Sequence, residues 1–186
     1  LELHRILLQP SGDDLAGRYK TEDNFIMETD REGVRSVRFT PVPASETAFA
    51  MEQLILAYHD AYSEAAINPL LLIPCVILDL LCIHPFRDGN GRMSRLLSLL
   101  LMYKSGFNAG KYVSIEEQIN TYKNYYYTSL QKSSERWHEN DNDYFPFIDN
   151  FLFDLKMSYF ELDSRFASLK DRKITKKQRI EELVTG

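Results

Sequence analysis

One stretch near the middle of the chain, His84-Pro85-Phe86-Arg87-Asp88-Gly89-Asn90-Gly91-Arg92-Met93-Ser94-Arg95, gathers most of the side chains able to do chemistry. An apolar helical pattern ends just before His84, and a second one starts near Gly91. A helix N-terminus presents unpaired backbone N–H groups and the positive end of its dipole, and glycine lets an anion come close to them. Gly89-Asn90-Gly91 therefore reads as an anion cradle. Arg92 and Arg95 follow in the first turn, where a cation is disfavoured. A bound polyanion reverses that sign, and guanidinium suits multidentate phosphate contact. Asp88 is a hard oxygen ligand of the kind that holds Mg²⁺ together with substrate phosphates. His84, with an ordinary pKa of about 6.5, can accept a proton at neutral pH. Together these residues converge on a bound magnesium nucleotide. Neither a G-x-x-x-x-G-K-[ST] loop nor the C-x-x-C ligands of a base-flipping zinc deaminase occur.

The elements that must position this loop are helical. Residues 1–9 read as the end of a short helix. Met51, Leu54, Ile55, Tyr58 and Tyr62 form a helical stripe behind Ser45 as N-cap. Asn68-Pro69 starts a helix that runs to Ile83, apolar nearly all round and so expected to be central and buried. Arg92 to Lys104 resumes the helical pattern, closed by Gly106. Ser114-Ile115-Glu116-Glu117 is a capping box opening one helix with Ile115, Ile119, Tyr122, Tyr126 and Leu130 on its inner face. A long helix after Asp143 carries Ile148, Phe151, Leu155, Tyr159, Leu162 and Phe166 in step. Between residues 17 and 43 the pattern changes: Phe25-Ile26-Met27 and Val34 to Phe39 flank an Asp30-Arg31-Glu32-Gly33 turn, closed by Pro41 and Pro43. A single hairpin of this kind is either a surface ornament or an edge that pairs with an extended peptide.

Composition narrows the classes. The 186 residues carry 22 Lys+Arg against 27 Asp+Glu, a net charge of −5, which argues against sequence-independent nucleic-acid binding. At 44% hydrophobic residues the chain is too apolar for disorder and can bury a core as one domain. Cys75 and Cys82 sit seven residues apart in an apolar helix, which fits small buried hydrophobes, a reducing compartment and a cytoplasmic setting. The run from Pro69 to Ile83 is too short for a membrane crossing and holds Pro74 and Asp79, so no membrane role is expected. The chain opens on Leu1, so an upstream segment is expected.

The central string resembles the Fic-family signature H-x-F-x-[DE]-G-N-G-R-x-x-R, matching all eight constrained positions. Gly17-Arg18-Tyr19-Lys20, Phe39-Thr40-Pro41-Val42-Pro43 and Tyr126-Tyr127-Thr128-Ser129-Leu130 are similar to further family segments, so the resemblance covers roughly residues 1–155. It implies an all-α Fic-type helical bundle over residues 1–170. A single β-hairpin flap (17–43) would lie over the active loop (84–95), and 171–186 would be a C-terminal helix or the edge of a further domain. The implied activity is protein adenylyl transfer, AMP moving from ATP to a Ser, Thr or Tyr hydroxyl of a target protein. His84 would be the general base and Asp88 the Mg²⁺ ligand. Gly89, Asn90 and Gly91 would form the α-phosphate hole, Arg92 would hold the β/γ-phosphates, and Arg95 the distal ones. Tyr126 and Ser134 align with adenine-pocket positions, and Ser36, Val37, Arg38 and Phe39 with flap positions near nucleotide and target. Phe86 would be the core anchor.

The family's inhibitory pattern [ST]-x-x-x-E-[GN] is not met: Glu32-Gly33 has Glu28, and Glu139-Asn140 has Glu135, where Ser or Thr is required. Regulation would then come from upstream residues, from a partner, or be absent. Other readings stay open, among them transfer of another nucleotide or of phosphate, removal of AMP, and a nucleotide-gated interaction module with little turnover. Self-association as a homodimer also stays open.

Overall fold

The computed structural model describes residues 1–12, 14–29, 32–64 and 67–170, with the isolated positions 176, 180, 184 and 185. The chain folds around α3, Pro69–Ile83, the apolar helix expected at the centre. Asn68 caps it by accepting the Leu70 N–H at 2.9 Å, and Pro69 occupies the first helical position, where its missing N–H costs nothing. Ile73, Ile77, Leu78 and Leu81 are buried along it. Each such side chain contributes about 1.5–3 kcal/mol on leaving water. Four further helices pack on α3: α2 (Ala44–Ser63), α4 (Asn90–Lys104), α6 (Lys123–Ser134) and α7 (Phe145–Lys170). Two short helices complete the bundle, α1 (Glu2–Leu8) and α5 (Ile115–Thr121). Among the described residues the architecture is all-helical with one hairpin, and no helix is long and apolar enough to cross a membrane. Both cysteines are free thiols.

The hairpin pairs β1 (Ile26–Thr29) with β2 (Arg35–Phe39) antiparallel, Ile26 opposite Phe39 and Met27 opposite Val37. That register skips Arg38, which is the extra residue of a β-bulge. A bulge bends its strand and re-aims a side chain. Asp30 and Arg31 of the expected turn lie outside the described residues, as does most of the 171–186 tail; Gly33 has φ +85°.

Three expectations are corrected. Ser45 is not an N-cap: α2 starts at Ala44, whose N–H is taken by Asp23 Oδ1 at 2.7 Å, a cap from a distant loop. Of its stripe, Ile55 and Tyr62 are exposed. The helix opened by Ser114 does not run through to Leu130. Ser114 does cap it, accepting the Glu117 N–H at 3.1 Å. Thr121 Oγ1, however, bonds back to the Glu117 carbonyl at 2.8 Å, a contact that bends helices, and the chain breaks at Tyr122 before α6. Finally, α7 does not bury a purely apolar stripe. Tyr159 and Phe166 are exposed, while Asn150, Asp154 and Ser158 are buried beside Phe147 and Leu155.

A buried histidine joins the N-terminal helix to the loop. His4 stacks on Phe86 at 3.7 Å with the rings 6° apart. Its Nδ1 accepts the Gly17 N–H at 2.9 Å, which fixes the tautomer, so Nε2–H donates to the Asp88 carbonyl at 3.0 Å. Replacing His4 by Ala removes the stack and leaves two backbone groups without partners. A loss of about 2–4 kcal/mol is expected. Urea unfolding checks it, as a lower midpoint at unchanged slope.

Candidate active site

α3 ends at His84, which adopts φ +52°, a left-handed conformation unusual for a side chain larger than glycine. The His84 N–H closes the helix on the Leu80 carbonyl at 2.9 Å. Several groups hold the turn. Lys20 donates its N–H to the Pro85 carbonyl at 2.9 Å, and its Nζ to the Ile83 carbonyl at 3.2 Å and Asn24 Oδ1 at 2.8 Å. Asn24 Nδ2 donates to the Phe86 carbonyl at 3.1 Å. From the far side Asn90 bonds both polar groups of Phe86, accepting its N–H at 3.0 Å and donating to its carbonyl at 2.7 Å. Phe86 is 3% exposed, the core anchor the sequence suggested.

The imidazole of His84 is set by one contact. Its Nδ1 lies 3.2 Å from the Leu81 carbonyl, which can only accept, so Nδ1 carries the proton and Nε2 keeps its lone pair. Burial holds the imidazole below its ordinary pKa; the hydrogen bond to the Leu81 carbonyl opposes it, and the positive charges of Lys20 and Arg38 add smaller effects in the same direction as burial. His84 is therefore neutral at pH 7. Burial also pulls the Lys20 ammonium down to about 8, opposed by Asp23.

α4 begins at Asn90, two residues before the sequence pattern resumed, with Gly89 as N-cap at φ +82°. The first bond into the helix runs from the Met93 N–H to the Gly89 carbonyl at 2.8 Å, so the amides of Asn90, Gly91 and Arg92 have no helical partner. The Gly89 N–H is taken by Asp88 Oδ1 at 2.6 Å. A Cβ on Gly91 would stand 3.3 Å from Arg95 Nη1, so only glycine lets that guanidinium fold over the turn without a push. Both arginines already hold carboxylates: Arg92 Nη2 meets Asp88 Oδ2 at 2.8 Å and Arg95 Nε meets Glu116 Oε1 at 3.0 Å. Nε of Arg38 is buried with no partner.

A cavity of about 190 Å³ collects four of the residues described so far, His84, Gly91, Arg95 and Arg38. Arg38, Phe39, His84, Gly91, Arg95 and Tyr127 line it, with Tyr126 and Ser134 at its wall. Successive strand residues normally face opposite ways, but the bulge lets Arg38 and Phe39 share it. Ser36 and Val37 are exposed on the hairpin and do not line it. Tyr126 is buried, and the rim aromatic is its neighbour Tyr127, which the sequence reading passed over as a site residue. Ser134 Oγ donates to the Gln131 carbonyl at 2.9 Å. Asp88 and Arg92 lie outside this cavity, on the exposed face of the same turn. Lys20 and Asn24 were also missed: their signal is a basic and an amide residue just before the hairpin, and nothing local says that they reach the end of α3.

The family model for the Fic/DOC family matches residues 1–102. The protein adenylyltransferase fic-1 of Caenorhabditis elegans is 36% identical over 109 residues, 58% of this chain and 19% of that protein. The protein adenylyltransferase Fic of Nematostella vectensis is 27% identical over 110 residues, 58% of this chain and 22% of that one. The matched stretch thus spans about a fifth of these relatives' own length. A Fic family protein from Desulfovibrio desulfuricans G20 superposes over 95% of this chain and 48% of its own, with a TM-score of 0.66 and 25% identity. A Fic domain containing signaling protein from Bacteroides thetaiotaomicron, 23% identical with a TM-score of 0.62 over 84% of this chain, shares the fold. With its signature loop intact and more than half its length matched, the chain belongs to the Fic/DOC family.

Proposed function

We propose that the protein is an adenylyltransferase that moves AMP from ATP to a hydroxyl side chain of a protein target. The observation that carries the reading is the shared cavity: a histidine with a bare Nε2 lines the same space as Gly91, Arg95 and the unpartnered Nε of Arg38. The target hydroxyl oxygen attacks the α-phosphorus and its proton passes to His84 Nε2. The bond from the α-phosphorus to the bridging oxygen breaks, and pyrophosphate leaves. The free amides of Asn90, Gly91 and Arg92 receive the α-phosphate charge, Arg92 and Arg95 the charge on the leaving group. Tyr126, Tyr127 and Ser134 bound the base, and the hairpin carries Arg38 and Phe39 over it.

Asp88 fits a magnesium ion: it is an exposed carboxylate beside the amides, and Mg²⁺ takes one carboxylate with waters and substrate phosphates. When bound, the ion would supply charge neutralisation of the phosphates, and Asp88 would exchange Arg92 for it.

Incubation with ATP labelled at the α- or the γ-phosphate tests the reaction. The α-label is expected on protein, and His84→Ala is expected to lower its transfer by about 10²–10⁴-fold. Transfer of the γ-label, or full activity without His84, would overturn the proposal.

The acid limb of the rate profile follows from the depressed imidazole. His84 works as a base only when neutral, so the rate falls as pH drops through its pKa, which lies below 6.5. Lys20→Met removes a cation that disfavours imidazolium, so the limb is expected to move to higher pH. A limb that stays put would show that Lys20 does not act on His84.

Glu116→Gln frees Arg95 from its ion-pair partner on α5. An exposed pair of this kind is worth about 0.2–1 kcal/mol, so the KM for ATP is expected to fall by up to about fivefold at unchanged kcat. Steady-state kinetics reads it directly.

A further inference from the structure

A second and larger cavity, about 620 Å³, lies behind α4, between it and α5 and α7. Much of its lining is apolar, from Leu99, Met102, Ile119, Phe151 and Leu155. Its size is that of a small-molecule site. An apolar cavity could be no more than a packing defect, but its wall also holds two polar side chains that the core does not satisfy. Asn150 and Asp154 line it, 1% and 4% exposed. Asn150 Nδ2 donates to Asp154 Oδ2 at 2.9 Å, and that bond orients the amide, because a carboxylate can only accept. Oδ1 of Asn150 and Oδ1 of Asp154 are then left buried with no hydrogen-bond partner.

Two orphaned acceptors cost free energy that a structural role does not explain, since leucine at either position would fill the space at no such cost. Their chemistry is one-sided. Both oxygens need N–H or O–H donors, and the one on Asp154 carries charge. Burial pushes the Asp154 carboxyl up to about 6, so it is still mostly ionised at neutral pH. Three cations also line the cavity, each with another partner: Arg92 is held by Asp88, Arg95 by Glu116, and Lys111 stands over the Tyr103 ring. What completes the site is an apolar body with at least two donor hydrogens and a positive charge at one end.

The geometry points to a binding site for a small amphipathic cation, an aryl or alkyl body bearing an amine or amidine head, with the head on Asn150 and Asp154. An amidinium suits it best, because its two nitrogens form a planar fork that can reach two neighbouring acceptors at once. The site is separate from the nucleotide loop but not isolated from it. Arg95 and Tyr126 line both cavities, so an occupant touches the back of the residues that wall the nucleotide side. It does not depend on the transfer reaction, and its test needs no ATP.

Benzamidine and benzene, titrated separately into the full chain at pH 7.5 and followed by calorimetry and ligand-observed NMR, provide that test. Benzamidine is expected to bind saturably and about tenfold or more tightly than benzene, the margin of a charge-assisted bond. Asp154→Asn keeps the shape and removes the charge, and is expected to cost benzamidine about tenfold or more while leaving benzene unchanged. Ile119→Trp, which fills the cavity from α5, is expected to abolish both. Absence of saturable binding to the wild-type chain would overturn the assignment. So would benzene binding as well as benzamidine, or benzamidine binding that survives Asp154→Asn. The comparison of the two ligands on the unmodified chain decides the matter even if a variant fails to fold.

Discussion

The left-handed turn at His84 is the constraint on which the site depends. α3 must stop there and α4 must begin only six residues later, and a histidine at φ +52° is costly by about 1–2 kcal/mol. The turn persists because its carbonyls are taken one after another: Ile83 by Lys20, Pro85 by the Lys20 backbone, Phe86 by both Asn24 and Asn90. Each such bond contributes about 0.5–1.5 kcal/mol, so together they outweigh the strain. The same turn buries the imidazole and aims Nδ1 back at Leu81, which leaves Nε2 as the basic nitrogen of the ring. Conformation, protonation and tautomer of His84 follow from one local geometry.

Electrostatics around the turn is arranged on the same principle. Cations in the first turn of a helix are unfavourable by about 0.3–1 kcal/mol. Here Arg92, in the first turn of α4, and Arg95, one turn further on, each hold a carboxylate, one from Asp88 and one from α5. A phosphate chain would exchange exposed carboxylates for stronger acceptors instead of neutralising bare charge. Lys20 and Arg38 differ from that pair. Both raise the positive potential at His84, yet Lys20 is committed to the scaffold while Arg38 reaches the cavity through a bulge.

What the sequence made legible was local. The string from His84 to Arg95 carries its own chemistry, Asn68-Pro69 and Ser114 are caps read within three residues, and the apolar run of α3 declares its burial. What escaped was long-range. His4 meets the loop across 84 residues, Lys20 and Asn24 across about 60, and Asp23 caps a helix 21 residues on. No periodicity registers such contacts. The Arg38 bulge escaped for a different reason: a strand pattern assigns alternate faces, and the register slip that breaks the alternation is a property of the pairing, not of either strand alone.

α7 shows the same limit in the opposite direction. Its apolar residues recur at helical spacing, and that pattern places Tyr159 and Phe166 inside, yet both are exposed while Asn150, Asp154 and Ser158 are buried. The three polar residues stand four apart on one face. Asn150 donates to Asp154 Oδ2, and Ser158 Oγ donates to the Asp154 carbonyl, so the stripe is bonded within its own helix. A hydrophobic pattern treats polar residues as outward by default and fails where they satisfy one another. Here the satisfaction is partial: two acceptors remain, on residues lining a cavity that Tyr126 and Arg95 also line. Arg95 of α4 and Tyr126 of α6, which line the His84 cavity, therefore also border a cavity whose wall holds two polar groups with unused hydrogen-bond capacity.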